Sequence, residues 1–327
     1  MVNKFTYCLL AIIIGLNTQA QFTDNFNDGN FTANPAWIGG TSDFIVNAAL
    51  QLQSNNTTAG SNFYLATAST KATVAQWDFY CQFTFNTSGA NYTDVYLTAS
   101  ASDLTQTSTT GYFVRIGNTD DEISLYRKDA GVAAIKIIDG SNGSTNTSNN
   151  TIKVRVIRNA ANQWTLSRDL TGTGTSYTSE GVVTDATYLT SAFFGIWVRQ
   201  STASFFQRHF FDDIAVTDYA PDVTPPVLQS ATPTGVNTVD VLFNEPVELT
   251  SSQVISNYVV NNGLGSPLTA VRDGVNTSLV HLTFANNFPN RINLQLTVNG
   301  VKDLAGNTLT NGTASFSYFT GIQYDIL

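Results

Sequence analysis

Residues 210–216 have the sequence Phe-Phe-Asp-Asp-Ile-Ala-Val, and a proline-rich stretch follows at residues 220–226, Ala-Pro-Asp-Val-Thr-Pro-Pro. Aromatic and β-branched residues around a short polar interruption are typical of a β-strand. Three prolines in seven residues fix φ and remove backbone donors, so residues 220–226 cannot form a central strand. We therefore expect residues 210–216 to close a first domain and residues 220–226 to be a semi-rigid linker to a second.

Composition supports two all-β domains. The chain has 327 residues, enough for about two domains of ordinary size, and 42% of them are hydrophobic whereas only 12% are charged. Asn, Thr and Ser supply most polar positions, which favours strands and turns over helices. The net charge of −9 comes without basic runs, so the sequence predicts neither nucleic-acid binding nor attraction to anionic lipid surfaces.

The first 20 residues have the pattern of a secretory signal peptide. Lys4 gives a positive start, an apolar run covers residues 5–16, and Thr-Gln-Ala at residues 18–20 resembles a cleavage site. The apolar run is shorter than the roughly 20 residues that span a bilayer. We expect a mature chain that starts near Gln21, is not inserted in a membrane, and is secreted to the extracellular space or cell surface.

Residues 21–219 show apolar and polar residues in alternation, interrupted by Gly, Asn, Ser and Asp clusters. This pattern is typical of a sandwich or barrel, and about ten strands favour a two-sheet jelly roll. The predicted strands are residues 49–54, 77–86, 92–99, 111–117, 123–127, 134–138, 152–158, 163–169, 193–200 and 206–216.

Residues 223–320 contain seven shorter runs, a number and spacing that predict an immunoglobulin-like β-sandwich. One helical turn is expected within residues 251–257. The predicted strands are residues 227–231, 238–243, 258–261, 268–272, 279–284, 292–298 and 313–318.

Three short motifs in the first domain resemble the concanavalin A-like (laminin-G-like) jelly roll of large secreted bacterial proteins. They are Asp-Asn-Phe-Asn-Asp-Gly at residues 24–29, Gly-Tyr-Phe-Val-Arg-Ile-Gly at 111–117 and Phe-Asp-Asp-Ile-Ala-Val at 211–216. The resemblance implies a jelly-roll fold and a tendency to bind glycans or proteins. It implies no activity.

The second domain resembles the bacterial Ig-like domain of surface-layer and cell-wall proteins, which acts mainly as a spacer. The resemblance rests on residues 222–226, on 239–247 (Val-Asp-Val-Leu-Phe-Asn-Glu-Pro-Val) and on 298–307 (Val-Asn-Gly-Val-Lys-Asp-Leu-Ala-Gly-Asn). The apolar tail at residues 321–327 is similar to the beginning of the lamin-tail-like domain that follows in such proteins. A simple C-terminal strand explains the tail equally well.

The acidic residues of the first and last strands suggest a calcium site. The first and last strands of such sandwiches lie side by side, and carboxylate oxygens are the ligands that Ca²⁺ prefers. The alternative is that these residues only form a turn and a strand end. A structural Ca²⁺ that ties the termini of the domain together is predicted at Asp24, Asp28, Asp212 and Asp213.

Alternation also predicts which side chains face away from the core. Flat aromatic rings beside Arg and Asp are what a sugar-binding face needs, because rings stack on sugars and charged groups bond their hydroxyls. The alternative is that loops cover these rings or that they belong to a second core layer. The predicted ligand-binding residues are Tyr96, Arg115, Tyr126, Trp197 and Arg199.

Catalysis is not expected. The jelly-roll superfamily that the first domain resembles includes glycoside hydrolases, which need two carboxylates that flank the scissile bond. The Glu-x-Asp-x-x-Glu strand pattern of those enzymes does not occur in this sequence. His209 and His281 fall in different domains, so a Ser-His-Asp arrangement that used both would have to be built across the linker. We expect a secreted, non-catalytic binding or adhesion module for a polysaccharide or cell-surface ligand, with a spacer domain. The alternatives are a structural scaffold that presents another domain and a cryptic glycoside hydrolase.

Overall fold

The computed structural model describes residues 21–319, and the chain divides into two compact units at Ala220 and Pro221. The predicted signal peptide and the predicted tail at 321–327 lie outside the described residues. The regular secondary structure of the described residues is almost all strand, so the predicted all-β class is confirmed. No helix within residues 21–319 has the length and apolar character to cross a bilayer.

The described part of the first unit forms fifteen strands. They are β1 (Phe22–Asp24), β2 (Trp37–Gly39), β3 (Phe44–Val46), β4 (Leu52–Ser54), β5 (Ser61–Ala68), β6 (Ala75–Phe83), β7 (Tyr92–Ala99), β8 (Gly111–Gly117), β9 (Glu122–Lys128), β10 (Ile135–Ile138), β11 (Asn150–Arg158), β12 (Gln163–Asp169), β13 (Thr178–Thr184), β14 (Phe193–Gln200) and β15 (His209–Asp218).

These strands make the two sheets of the expected sandwich. One sheet has eight strands in the order β13-β12-β11-β6-β15-β4-β3, with β1 paired to β15, and the other has seven in the order β10-β9-β8-β7-β14-β5-β2. The closing strand β15 therefore lies inside its sheet rather than at an edge. First and last strands are side by side, as expected, with Asp24 opposite Ile214.

The core lies between the two sheets and follows from the alternation of the sequence. In β6, Trp77, Phe79, Cys81 and Phe83 are buried while the residues between them are half-buried. The Trp77 ring stacks on Trp164 of β12, with ring centroids 5.5 Å apart. This difference between the two faces of β6 fixes its pairing register. A shift of one residue would turn the buried apolar side chains to the half-buried face.

The second unit is the predicted small sandwich, and each of its seven predicted strands is present. They are β16 (Leu228–Pro233), β17 (Thr238–Phe243), β18 (Tyr258–Val260), β19 (Thr269–Arg272), β20 (Leu279–Thr283), β21 (Asn293–Val298) and β22 (Gly312–Ser317).

A four-stranded sheet, β16-β17-β20-β19, and a three-stranded sheet, β18-β21-β22, enclose a separate core in this unit. The helical turn expected within residues 251–257 is present as a 3₁₀ turn at Ile255–Asn257, and it is preceded by α1 (Leu249–Ser252).

Candidate functional site

The outer face of the seven-stranded sheet carries a second apolar layer, on the side opposite the core. Tyr96, Phe113 and Tyr126 are each less than 10% exposed there. The rings of Phe113 and Tyr126 stack with centroids 5.2 Å apart, and those of Tyr96 and Phe113 are 5.0 Å apart. Alternation predicts the direction of these side chains correctly, and the burial shows that something covers them.

The cover is the loop at residues 100–110, between β7 and β8. Its Leu104 is buried against the outer face above Gly195 of β14. A Cβ atom at position 195 would lie 2.6 Å from Leu104 Cδ1, so the glycine provides the space that Leu104 occupies.

The shape of this loop is fixed by hydrogen bonds. The Asp103 carboxylate accepts bonds from the Thr105 backbone N–H at 2.9 Å, the Thr105 hydroxyl at 2.6 Å and the Gln106 amide at 3.1 Å. The Gly131 N–H donates to the Thr107 carbonyl oxygen at 2.8 Å and so joins the loop to residues 129–134. The two loops therefore form one connected wall.

Between the loops and the sheet lies a pocket of about 300 Å³. Strands β5, β7, β8, β9 and β14 form its floor, and the two loops form its wall. The lining residues are Asn62, Asp94, Tyr96, Leu104, Thr105, Phe113, Arg115, Lys128, Val132, Ala133, Ala134 and Trp197.

A bidentate ion pair lies on the pocket floor. Asp94 and Arg115 are direct neighbours across β7 and β8, and Arg115 Nε and Nη2 each donate to one Asp94 carboxylate oxygen at 2.7 Å. Only 5% of the Asp94 side chain and 19% of the Arg115 side chain are exposed. Burial raises the pKa of Asp94, and the Arg115 guanidinium opposes this shift through its hydrogen bonds and its charge.

Aromatic rings hold the Arg115 guanidinium in place. Its central carbon lies 4.4 Å from the centroid of Tyr92, 5.0 Å from that of Tyr126 and 5.3 Å from that of Phe113. The Tyr92 ring is in turn 5.6 Å from the ring of Trp197. The pair is therefore a rigid, preformed polar group among flat apolar surfaces.

The five predicted ligand-binding residues fall into two groups. Tyr96, Arg115 and Trp197 line the pocket, with Trp197 half-buried. Tyr126 lies beneath, stacked on Phe113, and Arg199 is exposed with its guanidinium 5.8 Å from the Tyr92 ring.

Sequence reasoning missed the loop residues, Asn62 of β5 and Lys128. Strand alternation says nothing about loops, because they have no fixed periodicity. One usable signal was Leu104, an isolated apolar residue in the polar stretch 100–110.

The four aspartates of the predicted calcium site accept hydrogen bonds or form ion pairs within the protein. Asp24 faces inward, where its Oδ2 accepts a hydrogen bond from the Trp37 indole N–H at 2.8 Å and its Oδ1 one from the Phe26 N–H at 3.0 Å. Asp28 accepts the backbone N–H and the side-chain amide of Asn30 in a surface turn, at 3.1 and 2.8 Å.

The two aspartates of β15 lie at a bulge. Asp213 adopts a φ of 46°, and its Oδ2 is 2.7 Å from the Lys153 ammonium. Asp212 Oδ1 accepts the Asp213 N–H at 2.7 Å. The structure thus pairs β1 with β15 as expected but does not bring the four carboxylates into one ligand set, because each turns to a different donor.

Within residues 21–319, the single group of three or more His, Cys, Asp or Glu side chains with ligand atoms within 4.8 Å is in the second unit. It consists of Asp222, Glu245 and Asp303, which offer the oxygen ligands that hard cations prefer. Burial, and then the charges of the other two, raise the pKa of Glu245. Asp303 accepts the Asn307 N–H at 2.8 Å and its side-chain amide at 2.7 Å.

Residues 222–320 match the family described as the bacterial Ig-like domain (Big_5), which confirms the resemblance noted for the second domain. No curated protein sequence matches the chain.

Solved structures are similar at low identity. The Ca²⁺/Man3GlcNAc-bound exoplasmic/lumenal domain of VIP36 is 9% identical, with a TM-score of 0.48, over 64% of this chain and 92% of that one. The carbohydrate binding module CBM66 from Bacillus subtilis is 11% identical, with a TM-score of 0.38, over 55% and 94%. The N-terminal part of the bacterial S-layer protein SbsC is 17% identical, with a TM-score of 0.28, over 30% of this chain and 24% of that one.

Proposed function

We propose that this protein is a secreted, non-catalytic glycan-binding module. The first domain binds a polysaccharide or cell-surface glycan in the pocket on its seven-stranded sheet, and the second domain is a spacer. The observation that carries the proposal is the combination, in one preformed pocket, of the half-buried Trp197 ring with the bidentate Arg115–Asp94 pair.

The composition of the pocket fits a sugar. A sugar ring has apolar C–H faces and a rim of hydroxyls, so its site needs a flat aromatic surface and polar groups at fixed positions. Trp197 supplies the first, and Arg115, Asn62 and Thr105 supply the second. Because the pair is already held by Tyr92, Phe113 and Tyr126, little ordering is needed when the ligand binds.

The charges of the pocket argue for binding without catalysis. Glycoside hydrolysis needs two carboxylates, one as acid and one as base or nucleophile. Among the described residues that line the pocket, Asp94 is the one carboxylate, and both of its oxygens accept bonds from Arg115. A carboxylate held in this way is a poor proton donor and a poor nucleophile.

The role of the second domain as a spacer is supported by the match of residues 222–320 to the bacterial Ig-like family. The Ca²⁺ that the sequence predicts stays a prediction. We therefore include binding measurements both in Ca²⁺ and in EDTA in the test of this proposal.

The test is a glycan array followed by affinity electrophoresis with the polysaccharides that bind. Trp197→Ala removes the aromatic surface and should weaken binding about 30-fold or more, as expected for an anchoring ring at an interface. The control is Tyr177→Ala, an aromatic truncation on the outer face of the other sheet, where the Arg155 guanidinium lies over the ring.

The control should bind as the wild type does. If the wild-type protein binds no glycan on the array, with or without Ca²⁺, the proposal is refuted and the scaffold role is favoured. Equal loss in both variants would show that the pocket is not the site. Release of reducing sugar from a bound polysaccharide would favour a hydrolase.

A further inference from the structure

The cations on the outer face of the seven-stranded sheet differ in their partners. Arg115 is paired with Asp94, and the Lys136 ammonium is 2.6 Å from Glu122 and 2.5 Å from Asp139. Lys128 and Arg199 take part in no ion pair within residues 21–319. These two cations are therefore available to an anionic ligand, in a chain whose net charge is −9.

Of these two cations, Lys128 lines the pocket. It is the last residue of β9, opposite Gly111 of β8, and its side chain is half-buried. It lies near enough to Asp94 for its charge to act there: burial raises the pKa of Asp94, and Arg115 and then Lys128 lower it.

Asp94 does not serve as a full partner for Lys128. Both of its oxygens already accept charge-assisted bonds from Arg115, so the ion pair is neutral as a unit. The pocket lining contains Arg115, Lys128 and Asp94 as its charged groups, and so carries one net positive charge. An ammonium at a partly desolvated position has three donors for a ligand, and an anion satisfies them best.

We propose that the pocket selects an anionic sugar, one that carries a carboxylate or a sulfate ester, and that Lys128 determines this specificity. The inference rests on the proposed glycan-binding function. Lys128 contacts the anionic group while Trp197 and the Arg115–Asp94 pair hold the sugar ring.

The test compares acidic polysaccharides with matched neutral forms on the full chain. Polygalacturonate and alginate are paired with their carboxyl-reduced counterparts, and a sulfated galactan is paired with its desulfated form. The wild type should bind at least one acidic form about tenfold more tightly than its neutral counterpart, the factor expected for one charge-assisted contact. The difference should shrink with added salt, because salt screens charges.

Lys128→Gln should bring the acidic-to-neutral affinity ratio close to one, and Lys128→Arg should restore it. The control Lys302→Gln makes the same change in net charge at an exposed position of the second domain and should leave the ratio unchanged. Thermal melts of all variants verify folding.

The outcomes separate the two proposals. Preference for uronates identifies a carboxylate as the recognised group, preference for the sulfated galactan identifies a sulfate ester, and either result supports the inference. Equal affinity for acidic and neutral forms, still lost in Trp197→Ala, would overturn the inference and leave glycan binding intact. If Lys128→Gln keeps the acidic-to-neutral affinity ratio of the wild type, Lys128 does not determine the specificity. No binding to any of these polymers or to the array would overturn both proposals.

Discussion

At the scale of single residues, the two histidines of the chain have opposite environments. His209 is fully buried in β15, with its ring 5.6 Å from that of Phe83 and 4.8 Å from that of Phe85, and burial lowers its pKa to about 3. His281 is partly exposed, and its Nδ1 is 2.7 Å from Asp240 Oδ1, a hydrogen bond that raises its pKa. The first is a packed ring that resists protonation, and the second is an ion-pair partner.

We expect acid to destabilise the first domain through His209. The folded state keeps this imidazole neutral down to about pH 3, whereas the unfolded chain binds a proton below about pH 6.5. The free energy of unfolding should therefore fall by about 1.4 kcal/mol for each pH unit between about 6.5 and 3.

The contribution of His209 is measured as the difference between the wild type and His209→Phe in urea unfolding at several pH values. Tryptophan fluorescence reports this domain alone, because all four tryptophans precede residue 220. Phenylalanine keeps an aromatic ring beside Phe83 and Phe85. Stability profiles that run parallel over the whole pH range would contradict this assignment.

At the scale of elements, the turn from β12 to β13 is built around one carboxylate. Asp169 is 1% exposed and accepts the backbone N–H groups of Thr171, Gly174, Thr175 and Ser176 at 2.8 to 3.1 Å. Burial alone would raise the pKa of Asp169, but these bonds and those from threonine hydroxyls lower it far below its usual value.

Asp169→Asn should destabilise the first domain by about 2 kcal/mol, because an amide loses the charge that strengthens several hydrogen bonds at once. Urea unfolding followed by tryptophan fluorescence measures the effect, and Trp164 lies in the strand that ends at Asp169. The matched control is Asp139→Asn at an exposed carboxylate beside Lys136, which should change stability little. Equal effects of the two substitutions would show that the turn does not depend on the charge of Asp169.

The sequence predicts several long strands well and misses short or irregular ones. Strands β7, β8, β12 and β14 have the predicted bounds. β1, β2 and β3 have three residues each, too few to show alternation. β5 was missed because its apolar residues, Phe63 to Ala66, follow one another without the alternation that marks a strand. β13 was missed because it is half-exposed and irregular near Gly181.

The same limit applies to the candidate site. Alternation gives the direction of Tyr96, Arg115 and Trp197, because direction is a property of the strand. It cannot show that Leu104 lies over Gly195, because that contact joins parts of the chain about 90 residues apart. Alternation also could not show that the Asp24 carboxylate accepts a hydrogen bond from Trp37 instead of lying beside Asp213.

At the scale of the whole molecule, each of the two units has its own hydrophobic core. A chain truncated after Ala220 should therefore fold, because a domain with a complete core does not need its neighbour. It should show the tryptophan emission and glycan binding of the full-length protein. An unfolded truncated chain, judged by circular dichroism and by fluorescence, would contradict this expectation.

The separation of the pocket into a strand floor and a loop wall has a consequence for how such proteins diversify. A floor residue such as Phe113 belongs to a buried layer, so its replacement should lower the stability of the domain before it changes the ligand preference. Replacement of the exposed wall residues Thr105 and Val132 should lower stability much less. New ligand preferences in descendants of this chain should therefore arise first by substitution and length variation in residues 100–110 and 129–134, with the sheet inherited unchanged.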